Sequence, residues 1–205
     1  MSSLLLRGFA LGFAVAASPG PIFFLCLRRT LLRNRLYGLV SGLGVATADG
    51  IYAAIASLGL AVVTAAVVGG RRPLTVIGGV ALIVIGARIL LQRRQERSAA
   101  APSTSSGLAW AYLSTLGLTI TNPATILAFA ALAATSGFGA GPGILDPALL
   151  VAGVLLGSAA WWCLLAVGAS WLRGRLSLAV IGGISAFSGL AIAILGMLAI
   201  YSAFS

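Results

Sequence analysis

A single acidic residue inside an apolar stretch is the first candidate for chemistry in this sequence. Asp49 stands in GLGVATADGIYAA, near the middle of a long hydrophobic run. Placing a charged side chain at the centre of a bilayer costs about 2.5 to 3.5 kcal/mol on insertion scales, so a carboxylate kept there usually faces a cavity or a partner. Asp49 is therefore a candidate to bind a proton or an ammonium group. The alternative is a structural role, in which it accepts hydrogen bonds from neighbouring residues or pairs with an arginine.

Two proline-containing segments are the second candidates. One is SPGP, residues 18–21, and the other is TNP, residues 121–123. Proline removes a backbone donor and clashes with the carbonyl four residues earlier, so each segment predicts a break in its helix. Backbone groups freed inside a bilayer must face protein or water, and the positive ends of the new helices suit a carboxylate. The residues predicted to bind a substrate are Ser18, Pro19, Gly20, Pro21, Thr121, Asn122 and Pro123.

Each of these residues also has a plainer interpretation. A proline kink can serve packing alone, Asn122 can hydrogen-bond across helices, and Thr121 or Ser18 can bond back to its own helix. The matched positions of the two breaks favour a binding site. Trp161 and Trp162, near the centre of a later apolar run, are predicted to pack rather than to contact a ligand.

The hydrophobic segments that must position these residues have the composition of a membrane protein. Of the 205 residues, 60% are hydrophobic and 8% are charged, and the mean hydropathy is +1.11. A soluble domain would carry roughly a quarter charged residues. Six segments are long enough to cross a bilayer core of about 30 Å, which predicts an all-α transmembrane bundle surrounded by membrane lipid. The predicted spans are Leu4–Leu27, Leu36–Val62, Leu74–Leu91, Leu108–Ala134, Ala148–Leu172 and Leu176–Phe204.

The net charge of +10 comes from arginines in short clusters between the apolar segments. Such clusters are typical of membrane topology, and they do not indicate a nucleic-acid partner. Ten of the 13 arginines fall in the first, third and fifth connections or beside them. The positive-inside rule therefore predicts that both termini lie outside the cytoplasm.

Two halves of the chain have related sequences. LTVIGGVALIVIGARIL from Leu74 matches LAVIGGISAFSGLAIAIL from Leu178, which pairs the third and sixth spans. A weaker alignment of the second and fifth spans sets Asp49 opposite Ser158. Because each half has three spans, the second half must enter the membrane in the opposite direction, as in many secondary transporters.

The resulting prediction is an inverted 3+3 repeat whose first and fourth helices are broken. We expect one transmembrane domain over residues 1–205, with the first repeat at about 4–91 and the second at about 108–204. The polar segment between them, about 92–107, is predicted to be a flexible cytoplasmic linker.

Two stretches, SPGPIFFLCLRRTLLRNRLYGLVSGLGVATADGIYAAIASLG and LGLTITNPATILAFAALA, resemble the LysE/RhtB family of bacterial amino acid exporters. The shared features are an SPGP break, a basic first loop, a Gly-rich second span with an Asp, and an NP pair in the fourth span. They fall on Pro19, Gly20, Pro21, Arg28, Arg29, Gly42, Asp49, Asn122 and Pro123.

This resemblance implies proton-driven export of an amino acid or a close derivative across the bacterial inner membrane. Our main hypothesis is that the broken first and fourth spans hold the carboxylate of the amino acid, and that Asp49 binds its ammonium group or exchanges a proton. The chain differs from the family pattern at Ile22, Ala124 and Asn34, where relatives often have a polar residue, a lysine and a glycine. These differences concern the choice of substrate more than the fold.

Two other functions remain open at this point. A membrane thiol oxidoreductase of the DsbD/CcdA type would need Cys26 and Cys163 as a reactive pair near the helix breaks. A small-molecule channel would pass its substrate without concentrating it. The sequence has no histidine and no CxxC motif, so it predicts no metal, no cofactor and no catalytic residues. Homo-oligomerisation and the identity of the amino acid are left open.

Overall fold

The computed structural model describes residues 2–57, 71–96, 107–135, 145–173 and 175–204. Within these ranges the chain forms eight helices. Leu, Ala and other apolar residues dominate them, and in lipid a helix satisfies its backbone hydrogen bonds internally. In chain order they are α1 (Ser2–Ala16), α2 (Pro21–Leu32), α3 (Arg35–Ser57), α4 (Arg71–Glu96), α5 (Leu108–Ile120), α6 (Pro123–Thr135), α7 (Leu145–Arg173) and α8 (Leu178–Phe204).

Both predicted helix breaks are present. α1 ends at Ala16 and α2 begins at Pro21, and the axes of the two helices differ by 82°. α5 ends at Ile120 and α6 begins at Pro123, with a bend of 59°. Each proline occupies the first position of the second helix, where its missing N–H removes no intrahelical hydrogen bond. The breaks therefore follow directly from the two local sequences.

Among the described residues, three helices are individually long and apolar enough to cross a membrane, and they are α3, α7 and α8. Counting each bent pair, α1 with α2 and α5 with α6, as one span raises the number to five. The apolar part of α4, Thr75–Leu91, is shorter. The predicted transmembrane helices are thus confirmed, whereas the number six depends on how α4 is counted.

Two predicted boundaries differ from the structure or cannot be compared with it. α4 continues past Leu91 to Glu96, because Gln, Arg and Glu are good helix formers and extend the helix into the segment predicted as linker. The rest of that linker, 97–106, lies outside the described residues, as does the predicted end of the second span at 58–62.

Glycines allow the closest helix crossings. α1 packs along α7, α4 packs along α8, and α3 packs against both α5 and α7. At the α1–α7 crossing, a Cβ added to Gly12 would meet backbone atoms of Val154, and one added to Gly157 would meet the carbonyl oxygen of Phe9. Only glycine permits backbones to approach this closely, so this crossing depends on small residues from both helices.

Replacing Gly157 with valine is expected to destabilise the protein by about 1 to 3 kcal/mol, the usual cost of overpacking a filled interior. The new side chain would meet the backbone of α1 at Phe9, and backbone cannot rotate away as a flexible side chain can. Gly168→Val, on the same helix, is the matched control, because no heavy atom lies within 4 Å of its added Cβ. Thermal unfolding in detergent measures both variants, and equal melting temperatures would contradict this view of the crossing.

Arginine contacts show which connections share one end of the bundle. Arg173 donates a hydrogen bond from Nη1 to the carbonyl of Arg33 at 2.8 Å, which joins the α2–α3 turn to the end of α7. Arg29 donates to the carbonyl of Ala111 near the start of α5 at 2.9 Å. At the opposite end, the guanidinium of Arg72 lies 4.5 Å from the ring centre of Phe204. The described arginine-rich turns therefore lie at the same end, opposite the end of α8.

Candidate functional site

A cavity of about 480 Å³ lies where the two helix breaks face α3 and α7. Its described lining includes six of the eight residues that the sequence singled out as a site. Thr121 is not among the described lining residues, and the side chain of Pro123 lies outside the described part of the structure. Residues far apart in the sequence are thus brought to one place by the bundle. The six are Ser18, Pro19, Gly20, Pro21, Asp49 and Asn122.

Asp49 is buried beside this cavity, with 1% of its surface exposed. Its carboxylate Oδ2 accepts a hydrogen bond of 2.7 Å from the hydroxyl of Ser158 on α7, the residue that the alignment of the two halves sets opposite it. A carboxylate has about four acceptor positions on its two oxygens, and one hydroxyl occupies only one of them. Asp49 therefore keeps acceptor capacity for a cation or a proton that enters the cavity.

The first break leaves the start of α2 open to the cavity. Gly20 occupies the N-cap position with an extended backbone, φ −151° and ψ −174°, and among the described residues no side chain caps the helix. Gly20, Pro21, Ile22 and Phe23 all line the cavity. Because the first amides of a helix have no intrahelical acceptor and carry the positive end of its dipole, they can hold an anion here.

The second break is closed by protein groups. Oδ1 of Asn122 accepts a hydrogen bond from the amide of Ala124 at 3.2 Å, and its Nδ2 donates to the hydroxyl of Thr125 at 3.1 Å. On the other side of the break, the hydroxyl of Tyr52 on α3 donates to the carbonyl of Ile120. Asn122 thus caps its own helix instead of bonding across helices. The two breaks match in position, but only the first presents an uncapped helix start.

Removing the cap at Asn122 is expected to cost about 0.5 to 2 kcal/mol of stability, as at other helix N-termini. Asn122→Ala deletes the acceptor for the Ala124 amide, whereas Asn122→Ser keeps an oxygen that can take its place. The melting temperature of Asn122→Ala in detergent should fall, and that of Asn122→Ser should stay close to the parent protein. If serine and alanine are equally destabilising, the capping role is wrong.

Thr121 is directed away from the cavity. Its hydroxyl donates to the carbonyl of Gly117 on its own helix at 3.0 Å, as the plainer interpretation anticipated. A Cβ added to Gly78 on α4 would lie 2.9 Å from this hydroxyl oxygen. Thr121 therefore packs against α4 beside the break.

Trp162 is a lining residue that sequence reasoning missed. It packs over Gly42 of α3 and is 4% exposed, which agrees with the predicted packing role. It also lines the cavity, and its indole Nε1 has no hydrogen-bond partner among the described residues. The sequence offered no signal to distinguish it from Trp161, because their orientations depend on how α7 is rotated in the bundle.

The two cysteines lie in different environments. Cys26 on α2 is fully buried and Cys163 on α7 is exposed, and both are free thiols. Neither is among the described residues that line the cavity. The structure therefore gives no support to a reactive cysteine pair at the helix breaks.

Comparison with known proteins identifies one family. The family model described as "LysE type translocator" matches residues 13–203, which include both breaks, Asp49 and Trp162. Neither the curated proteins nor the solved structures give a match. The resemblance seen in the sequence is confirmed at the level of the family.

Proposed function

This chain belongs to the LysE type translocator family, a family of membrane transporters, and from that premise we propose that it exports an amino acid or a close derivative across the bacterial inner membrane. The observation that carries the proposal is the cavity between the breaks, where an uncapped helix start and a buried carboxylate line the same space. An amino acid carries a carboxylate and an ammonium group, which complement these two features.

We infer that export is coupled to protons through competition at Asp49. In this mechanism the amides at the start of α2 hold the substrate carboxylate while Asp49 holds its ammonium group. When the substrate leaves, a proton takes its place on the carboxylate, because an unpartnered buried charge is costly. A carboxylate that binds either the substrate or a proton exchanges one for the other, so the inward flow of protons drives the substrate outward.

We further propose that the chain is an inverted 3+3 repeat, and three contacts support this arrangement. α3 and α7 meet at Asp49 and Ser158, which the alignment pairs, and a two-fold axis brings equivalent residues together where it passes. In addition, α3 closely approaches α5, where a Cβ on Gly44 would meet Tyr112. Likewise, α7 closely approaches α1, where a Cβ on Gly153 would meet Leu5. Gly44 and Gly153 are also paired by the alignment.

In this arrangement α4 is the third span and the partner of α8. A Cβ on Gly86 would lie 2.7 Å from the carbonyl oxygen of Gly189, and one on Gly189 would contact Ile89. The apolar part of α4, Thr75–Leu91, is about 26 Å long at 1.5 Å per residue, a few ångströms short of a typical hydrocarbon core. Arginines that extend to the interface can accommodate such a difference.

We propose that the arginine-rich end of the bundle faces the cytoplasm and that both termini lie outside it. Arginine hydrogen bonds join the α2–α3 turn to the end of α7, and α2 to the start of α5. These contacts support the proposal that the basic segments share one end of the bundle. Cytoplasmic connections are the ones in which membrane proteins concentrate arginine. Cysteine labelling from each side of sealed cells tests this orientation.

Transport by the purified protein in liposomes tests the proposed function. Vesicles are loaded with a mixture of labelled amino acids, and the loss of each one is followed with and without an inwardly directed proton gradient. We expect at least one amino acid to leave, and to leave faster with the gradient. The absence of transport for every amino acid would refute the function, and transport that ignores the gradient would refute the coupling.

A further inference from the structure

We propose that the substrate is an amino acid with an uncharged, apolar side chain, and that Trp162 donates a hydrogen bond to its carboxylate. This inference rests on the proposed function and specifies the substrate class of the same cavity. Three observations support it. They are the ionisable side chains that line the cavity, the apolar residues of its walls, and the Nε1 atom of Trp162, which has no hydrogen-bond partner among the described residues.

The charges in the cavity match the backbone of an amino acid and nothing more. Among the described lining residues, Asp49 is the only ionisable side chain. Once Asp49 holds the substrate ammonium, no second carboxylate in this lining can hold the side chain of a lysine or an arginine. The described lining also contains no arginine that could hold the side chain of a glutamate. A charged side chain would therefore lose water without gaining a partner.

The walls of the cavity are apolar on several sides. Leu11 and Val15 contribute from α1, Phe23 from α2, and Val45 from α3. Ile22 and Ala124 also line it, and both side chains are apolar. The volume of about 480 Å³ lies in the lower part of the roughly 300 to 1,000 Å³ range of small-molecule sites. Such a space accommodates one amino acid with an aliphatic or aromatic side chain.

Trp162 contributes a donor that the described protein leaves unused. Its side chain is 4% exposed and its Nε1 atom is buried without a partner among the described residues. Buried tryptophan N–H groups usually have an acceptor, and one left without costs stability. Because Trp162 lines the cavity, a bound ligand supplies this acceptor once the indole turns its buried Nε1 toward it. Since an apolar amino acid offers only its carboxylate oxygens as acceptors, the carboxylate is the group that Trp162 would bind.

Trp161 provides a matched control on the same helix. Its Nε1 is also unpartnered among the described residues, but the residue is not part of the described lining. Its ring instead packs edge-on against Phe13 of α1, with 5.3 Å between ring centres. Replacing either tryptophan by phenylalanine keeps most of the ring and removes one N–H, so the two variants differ mainly in whether the lost donor can reach a ligand.

Ligand-induced thermal stabilisation of the purified protein in detergent tests both parts. Leucine, phenylalanine, lysine and glutamate are titrated separately. Each apparent affinity is obtained from the rise in melting temperature above that of the same variant without ligand. We expect leucine and phenylalanine to stabilise the protein and lysine and glutamate to leave it unchanged. Trp162→Phe should weaken binding by about tenfold, the loss of one hydrogen bond to a charged group, and Trp161→Phe by less than about twofold.

The contrary outcomes are distinguishable. Tighter binding of lysine or glutamate than of leucine and phenylalanine would overturn the substrate class while the proposed export function stands. Equal losses in Trp162→Phe and Trp161→Phe would overturn the role of Trp162. Absence of binding by all four amino acids would overturn this inference, whereas the export function fails only if no amino acid is transported in the liposome assay.

Discussion

Asp49→Asn is expected to reduce proton-driven amino acid export by roughly 10- to 100-fold, which corresponds to the loss of one charge-assisted hydrogen bond. Asparagine has nearly the same size and keeps an oxygen that can accept the hydrogen bond from Ser158, which in the parent protein is 2.7 Å long. The variant should therefore fold normally while it lacks the charge that holds an ammonium group or a proton. Initial export rates in liposomes, with and without a proton gradient, measure the effect.

Asp146 provides the control for this substitution. It is an acidic residue in the first turn of α7 and is not among the described residues that line the cavity. Asp146→Asn is expected to leave the export rate within about twofold of the parent protein, as for a surface change away from the site. If Asp49→Asn also retains the parent rate and its response to the gradient, Asp49 has a structural role only, and the coupling mechanism proposed above is wrong.

Gly20→Asp is expected to block substrate binding without unfolding the protein. Aspartate is a favourable N-cap residue, and its carboxylate would accept hydrogen bonds from the amides at the start of α2. These are the groups that we propose hold the substrate carboxylate. The backbone of Gly20 is extended, and a Cβ there meets no heavy atom within 4 Å. We therefore expect affinity to fall by at least about tenfold and stability to fall by no more than about 2.5 to 3.5 kcal/mol, the insertion cost of a central aspartate.

Gly20→Ala is the control for Gly20→Asp, because it adds a carbon atom at the same position without a carboxylate. Alanine fits the same open space but offers no acceptor to the α2 amides, so substrate affinity should stay within about threefold of the parent protein. Affinity is measured by ligand-induced thermal stabilisation and stability by the ligand-free melting temperature. Equal affinity in the alanine and aspartate variants would show that the start of α2 does not hold the substrate.

The helix breaks could be predicted from the sequence because their causes are local. Pro21 and Pro123 each lack a backbone donor and clash with the carbonyl four residues earlier, so each is expected to kink or break its helix. The transmembrane helices could be predicted for the same reason, since the length and polarity of each segment determine whether it can cross lipid. The contact between Asp49 and Ser158 was not predicted, because the alignment of the two halves marks equivalent positions, and equivalent residues meet only where a two-fold axis passes between them.

The difference between the two breaks could not be predicted from the sequence. The second break is closed in part by Tyr52, whose hydroxyl reaches the carbonyl of Ile120 from another helix. The first break has no side-chain cap among the described residues. Which side chain reaches a freed backbone group depends on how the helices are rotated and packed. For the same reason, the sequence did not show that Trp162 lines the cavity.

Substrate protection of cysteines placed in the cavity tests the central claim most directly, namely that the space between the breaks is the transport site. Ala14→Cys and Ala128→Cys introduce thiols at lining positions on α1 and α6, in a Cys163→Ala background that removes the exposed native thiol. Ser202→Cys, exposed near the end of α8 and not among the lining residues, is the control. We expect the transported amino acid to slow maleimide labelling at both lining positions several-fold and to leave labelling of Ser202→Cys unchanged. Unchanged labelling at Ala14→Cys and Ala128→Cys, in variants that still transport the amino acid, would contradict the account.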